Sequence, residues 1–275
     1  MTQPTTAPGR PRDAVGGPAT ERAECLLAPN PSPMTLDGTN TWIVAEPGAG
    51  LAVVVDPGPL EESHLRAVVD RVEATGRRVG LTVLTHGHAD HTESAARFAE
   101  LTGAPVRALD VAGRLGGEGL GEGDVITTGG LELRVLATPG HTADSLCLHL
   151  PADRAVLSGD TILGRGTTVV AHPDGRLGDY LDSLRRIRSL VTEEGVTTVL
   201  PGHGPVLDDA LGVVEFYLAH RASRLAQVET ALEGGLQTPA EIVGNVYAGV
   251  DRSLWPAAEL SVRAQLDYLV EHGLV

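Results

Sequence analysis

Lysine is absent from the chain. All 21 basic residues among its 275 are arginine, against 36 Asp and Glu, which gives a formal net charge of −15. So acidic a protein is poorly suited to broad, sequence-independent binding of nucleic acid, which rests on Lys and Arg neutralising phosphates. The charge leaves a local site open and argues only against a stable nucleic-acid partner. Cysteine is scarce: Cys25 and Cys147 are too few for a disulfide framework and read as buried thiols. No run reaches the roughly 18 apolar residues of a membrane span, so no membrane partner is expected. The opening segment MTQPTTAPGRPRDAVGGPAT has no apolar h-region and does not read as a secretory signal. Residues 1–22 read as a disordered tail on a cytoplasmic protein. Aromatics make up only 3%, yet the hydrophobic fraction of 42% is that of a globular chain. The length suits one large domain with a small appendage.

What is present is an alternation of short β-branched runs with amphipathic segments. Thr41–Ala45 and Leu51–Asp56 read as paired strands, and Glu61–Thr75 as a helix with Leu65, Val68, Val69 and Val72 on one face. Val79–Leu84 reads as a buried strand running into His86. Thr92–Leu101 resumes as a helix, with Thr92 as its N-cap. Leu131–Ala137 alternates, Ser145–Leu150 and Arg154–Leu157 form a hairpin, Tyr180–Leu190 is helical and Val196–Leu200 is a strand. After about Asp208 the strands stop. Val213–Leu232, Pro239–Val246 and Ala257–His272 predict a small helical, winged-helix-like subdomain over 208–275, set against an α/β domain over 23–207.

The chemistry sits in four short motifs at predicted strand ends, where loops carry function on a rigid scaffold. The first is His86-Gly87-His88-Ala89-Asp90-His91, four potential ligands in six residues. Small Gly87 and Ala89 let the turn fold tightly, so that His86 and His88 face one ion while Asp90 and His91 point toward a second. Fifty residues beyond His91 comes Pro139-Gly140-His141. Ser158-Gly159-Asp160 lies nineteen residues after His141, and Pro201-Gly202-His203-Gly204 brings His203 forty-three residues after Asp160. Imidazole and carboxylate suit zinc and similar divalent ions. A purely structural zinc site is closed and four-coordinate, so seven such residues argue against a non-catalytic, metal-stabilised binding module. His64, His149, His220 and His272 read instead as surface or helix-face residues.

This series resembles the metallo-β-lactamase superfamily over roughly residues 36–207. The resemblance implies a four-layer αββα sandwich with two divalent ions at one edge, zinc in the first instance and manganese or iron as alternatives. It places His86, His88 and His141 on the first ion, Asp90, His91 and His203 on the second, and Asp160 on both. Asp56 resembles the superfamily's structural aspartate and is expected to brace the histidine loop. A hydroxide shared by two cations would be the nucleophile, with Asp90 carrying the proton to the leaving group.

Further segments narrow the resemblance. The best-known lactamase subclass has a cysteine where Asp160 stands, and Cys147 lies thirteen residues too early to replace it. The short step from His141 to Asp160 leaves no room for the insertion of the β-CASP nucleases. Gly38-Thr39-Asn40-Thr41-Trp42, the run Gly159–Val169, Tyr217-x-x-His220-Arg221 and Thr238-Pro239-Ala240-Glu241-Ile242-Val243 are similar to the lactamase-β-like-2 family. Animal members of that family are regarded as endoribonucleases acting on single-stranded RNA, and related bacterial and fungal sequences include thioesterases acting on acyl-carrier-bound polyketides. A glyoxalase-II-like thioesterase would share the ligands but need cationic residues for glutathione, and no such motif stands out. An extra loop, His172–Gly178, departs from the animal pattern. Asn40, Arg165, His172 and Arg176 are the candidates for contacting substrate. The segment after Val206 carries four arginines against ten acidic residues, a balance of −6, which favours a cap that shapes the cleft over a nucleic-acid-gripping winged helix.

Overall fold

The computed structural model describes residues 15–275. Two sheets stack face to face. The first runs in the order β1 (Gly17–Pro18), β2 (Ala23–Leu27), β3 (Asn40–Val44), β4 (Leu51–Val55), β5 (Arg78–Val83), β6 (Val106–Arg107). Its first four strands pair antiparallel, and β4, β5 and β6 pair parallel. The second sheet contains β7 (Val125–Thr128), β8 (Leu131–Ala137), β9 (Leu146–Leu150), β10 (Ala155–Gly159) and β11 (Thr198–Pro201), in the order β11-β10-β9-β8-β7. Only the β10–β11 pair is parallel there.

Period-two alternation makes the layers. On β8, Leu131, Leu133 and Val135 are buried between exposed Glu132 and Arg134. With Leu146, Leu148 and Leu150 of β9 they meet Trp42, Val44, Val53 and Val55 of the first sheet in the central core. The opposite faces are covered by helices. Ala52 and Val54 lie under α1 (Glu62–Ala74) and α3 (Ala95–Thr102), through Leu65, Val68, Val72 and Phe98. Cys147, Val156 and Val199 lie under α4 (Leu177–Glu194) and the start of α5 (Ala210–Glu233), through Tyr180, Leu184, Val213 and Tyr217. The order helix, sheet, sheet, helix is the expected αββα sandwich. Both cysteines are buried.

The C-terminal part of α5 then packs with α6 (Pro239–Val246) and α7 (Trp255–Glu271) around Val228, Ile242, Val243, Val262 and Leu269. A capping box sets the start of α6: Thr238 accepts from the Glu241 N–H and the Glu241 side chain accepts from the Thr238 N–H. The boundary expected at 207/208 therefore precedes a helix that serves both cores.

Three local expectations differ. Of the expected tail, residues 1–14 lie outside the described residues, whereas the stretch after them joins the sheet. There β1 pairs with β2, and Arg22 is held by Glu46 and Asp153 at 2.7 and 2.6 Å. Gly and Pro in β1 disguise it as loop, and Arg22 is held by partners remote in sequence. Thr92 is not an N-cap: it is the last residue of a short helix α2 (Ala89–Thr92), and its hydroxyl donates to the His88 carbonyl. His64 and His149 are buried rather than at the surface. His64 bonds the Thr41 hydroxyl at 2.9 Å, and His149 lies on β9.

Candidate metal centre

The four motifs meet at one edge of the sandwich because each follows the end of a strand, one in the first sheet and three in the second. β5 delivers His86, β8 leads to His141, β10 ends just before Asp160, and β11 just before His203. Small residues permit the close approach. A Cβ on Gly202 would stand 2.4 Å from Asp160 Oδ1 and 2.9 Å from His91 Cε1. Gly159 has φ 48°, and a Cβ there would meet the Thr85 hydroxyl at 2.7 Å.

Donor atoms gather in three overlapping groups, one of them His86, His91 and Asp160. One atom from each of His86, His88 and His141 lies within 4.8 Å of the others, and the same holds for Asp90, His91 and His203. Asp160 lies between them. Its Oδ2 is 3.7 Å from His141 Nε2 and 3.3 Å from His203 Nε2, and its Oδ1 is 3.5 Å from His91 Nε2.

Outer partners aim the rings. His91 Nδ1 donates to Asp56 Oδ2 at 2.9 Å, His141 Nδ1 to the Val169 carbonyl at 2.8 Å, and His203 Nδ1 to the Gly38 carbonyl at 3.0 Å. A neutral imidazole has one donor nitrogen, so these bonds turn each Nε2 lone pair inward. His91 Nε2 and His203 Nε2 stand 3.2 Å apart. His86 Nε2 and His141 Nε2 each lie 3.1 Å from His88 Nδ1. Asp160 Oδ1 is buried with no hydrogen-bond partner among the described residues. Converging ring nitrogens around a buried carboxylate oxygen without a hydrogen-bond partner fit divalent cations well.

Asp56 occupies a left-handed backbone position, φ 54°, that aspartate tolerates better than most residues. Its carboxylate also accepts from the Thr85 N–H at 2.8 Å and the Thr85 hydroxyl at 2.7 Å, so it braces the histidine loop. The protonation pattern follows the charges. Burial opposes ionisation of Asp160, but His91 and His203 hold its carboxyl well below the usual carboxylate range. Burial likewise opposes Asp90, which His203 and His91 keep low. Against burial, Asp160 and Asp56 raise His91, and Asp160 and Asp90 push His203 up to about 9. Burial lowers His86 and His141.

All seven expected metal-site residues come together; the four candidates for substrate contact do not join them. Asn40 is 1% exposed, and its Nδ2 donates to the Pro201 and Gly204 carbonyls at 2.9 and 2.8 Å, so it braces the His203 turn. His172 pairs with Asp267 at 3.0 Å and Arg176 with Glu271 at 2.8 Å, which ties the extra loop to α7. Arg165 pairs with Asp37 at 2.7 Å on the far side of the 160–169 loop. Three residues that brace that loop went unassigned. The Tyr217 hydroxyl accepts from the Leu163 N–H at 2.8 Å, Arg221 donates to the Thr168 carbonyl, and the Thr168 hydroxyl donates to the Asp160 carbonyl at 2.6 Å. The signal was available for two of them: Tyr217 and Arg221 are four residues apart, hence on one helix face.

Beside His86 and Gly87 opens a cavity of about 280 Å³, lined by Glu93, Asp110 and Asp144 and by no arginine.

Comparison with known proteins agrees with this geometry. Residues 34–203 match the metallo-beta-lactamase superfamily, and residues 238–275 match the beta-lactamase associated winged helix domain. A beta-lactamase-like protein 2 homolog of Caenorhabditis elegans is 33% identical over 91% of this chain and 84% of that protein. An atrochrysone carboxyl ACP thioesterase of Aspergillus fumigatus is 32% identical over 80% of this chain and 67% of that one. In three dimensions, a beta-lactamase domain protein from Burkholderia ambifaria aligns with a TM-score of 0.79 at 23% identity, covering 98% of this chain and 92% of that one. The chain belongs to the metallo-β-lactamase superfamily of hydrolases and carries that superfamily's associated winged helix domain at its C-terminus.

Proposed function

We propose that the protein is a dinuclear metal-dependent hydrolase whose substrate is an acyl thioester. The observation that carries the two-metal reading is the pair of donor groups, His86/His88/His141 and Asp90/His91/His203, with Asp160 between them and its Oδ1 without a hydrogen-bond partner among the described residues. His86, His88 and His141 would hold one cation, Asp90, His91 and His203 the other, and Asp160 both. Zinc is the first choice, with manganese or iron accepted by the same ligands. Two such cations, when bound, supply a water activated at neutral pH and polarise the scissile oxygen.

The chain's own residues do the rest. Asp56, Val169 and Gly38 fix the rings, so the donor set is organised before substrate arrives. Asp90 is half-buried at the centre's edge, 3.1 Å from His203 Nε2, where its carboxylate can accept a proton. In thioester hydrolysis, water oxygen adds to the carbonyl carbon and the C–S bond breaks. The sulfur leaves with the electron pair, and Asp90 takes the proton from water and hands it to sulfur. Asp90→Asn keeps an oxygen in place but cannot take up that proton. Its kcat is expected to fall about 10²–10⁴-fold, the usual contribution of a positioned proton carrier. A rate within threefold of wild type would remove Asp90 from the role.

The substrate class follows from charge. The cavity beside His86 presents Glu93, Asp110 and Asp144 without an arginine, and the segment after Val206 adds a balance of −6. A polyanionic RNA strand would be repelled on both counts, while a thioester is neutral at the scissile bond. The similar Aspergillus protein named as a thioesterase supports the same choice. The test is a side-by-side assay of metal-loaded protein on S-butyryl-N-acetylcysteamine and on a single-stranded oligoribonucleotide. Thioester turnover with little dependence on salt is expected. RNA cleavage that falls steeply with salt, and no thioester turnover, would overturn the assignment.

A further inference from the structure

A second cavity, of about 270 Å³, lies between the helical cap and the outer side of the 160–169 loop. Met34, Leu163, Tyr247, Val250 and Leu254 give it an apolar wall, and no Asp or Glu is among its lining residues. Its charged side chains are of one sign. His220, Arg221 and Arg224 line it from one face of α5, and Arg165 stands at its rim.

These cations are unusual for this protein. Arg165 is paired with Asp37, but Arg221 and Arg224 make no ion pair among the described residues, in a chain of net charge −15. Arg221 is 7% exposed. It donates to the Thr168 carbonyl and stacks over Tyr180, 4.9 Å to the ring centre, yet its Nε has no hydrogen-bond partner among the described residues. Arg224 lies over the Tyr247 ring at 4.6 Å; its Nη1 donates to Gln227 Oε1 and to the Val246 carbonyl at 3.0 and 2.9 Å, and its Nε is buried without a partner among the described residues. His220 Nδ1 is a third such atom. A buried donor without an acceptor costs free energy unless a ligand supplies one.

We propose that this cavity is a binding site for a small apolar anion: an aliphatic or aromatic body against Met34, Tyr247 and Leu254, and a carboxylate facing Arg221 and Arg224. The wall matches the body, and the unpaired guanidinium groups match the head. The site is separate from the proposed metal centre but joined to it, since Arg221 holds Thr168 and Thr168 holds the Asp160 carbonyl. It does not rest on the thioesterase reading, although hydrolysis of an apolar thioester releases a ligand of this class.

The test is calorimetric titration of the metal-loaded full-length chain with 2-naphthoate and with its neutral analogue 2-naphthamide. Naphthoate is expected to bind with one-to-one stoichiometry, at least tenfold tighter than the amide. Arg224→Gln is expected to weaken naphthoate at least tenfold, and Met34→Glu, at an exposed position of the wall, to weaken it similarly without lowering Tm. Asp160→Asn is expected to leave naphthoate binding within twofold, because the anion does not sit on the metals. Equal affinity for acid and amide, no effect of Arg224→Gln, no binding up to millimolar naphthoate, or loss of binding in Asp160→Asn would each overturn the proposal.

Discussion

Asp56 makes three hydrogen bonds while 1% exposed, to the Thr85 N–H, the Thr85 hydroxyl and His91. Replacing it by alanine strands buried donors at about 1–3 kcal/mol each and frees the His91 ring. Asp56→Ala is therefore expected to lower Tm and to weaken metal binding about 10–100-fold, the usual effect of removing an outer partner of a ligand. A thermal melt and a chelator competition read the two effects separately. A lower Tm with unchanged metal affinity would reduce Asp56 to a folding residue. At this scale the sequence was most informative where chemistry is local: His86 to His91, His141, Asp160 and His203 sit in short motifs whose neighbours are small. It said less where a side chain's direction depends on partners remote in sequence. Asn40 turns inward to Pro201 and Gly204, and His172 and Arg176 turn to Asp267 and Glu271 on α7.

Among the elements, those with strong periodicity were legible. The strand Leu131–Ala137 and the helix Pro239–Val246 fall where alternation and the Thr-Pro start place them. The short strands β1, β2, β6 and β7 were not read: β1 and β6 have two residues each and exist through pairing rather than propensity. Helix α5 links the two cores and carries a pH-sensitive residue. Burial, with Arg221 and Arg224 nearby, pushes His220 down to about 4, while it stacks on Phe216 at 6.1 Å. An unfolded histidine titrates near 6.5. Between about 6.5 and 4 the unfolded chain therefore binds a proton that the folded chain does not. This contribution leaves stability whole above 6.5 and removes it progressively as pH falls through that window. His220→Phe is expected to lose less Tm than wild type between pH 7 and pH 5. Equal losses in the two proteins would contradict the assignment.

For the whole molecule, the helical C-terminus follows from where the strand signals stop and the layer order from the family resemblance, but the joint between the parts follows from neither. Composition changes at residue 208, yet Val213, Val214 and Tyr217 of α5 belong to the core under the second sheet. A chain ending at 207 would expose Val156, Val199 and Tyr180 to water, at about 25 cal/mol per Å² of apolar surface uncovered. It is expected to aggregate or to lose its cooperative melt, whereas a sharp melt like that of the full chain would show that the sandwich stands without α5. Among the described residues, no helix is long and apolar enough to cross a membrane. The acidic exterior, first read as a bar to nucleic acid, surrounds a cluster of histidines and aspartates suited to cations.

That cluster is the account's centre, and elemental analysis of the purified chain tests it most directly. Wild type loaded with zinc and freed of excess is expected to hold two metal ions per chain, and Asp160→Ala to hold one or fewer and to lose most hydrolysis. One ion or none in wild type, or two ions and a normal rate in Asp160→Ala, would contradict it.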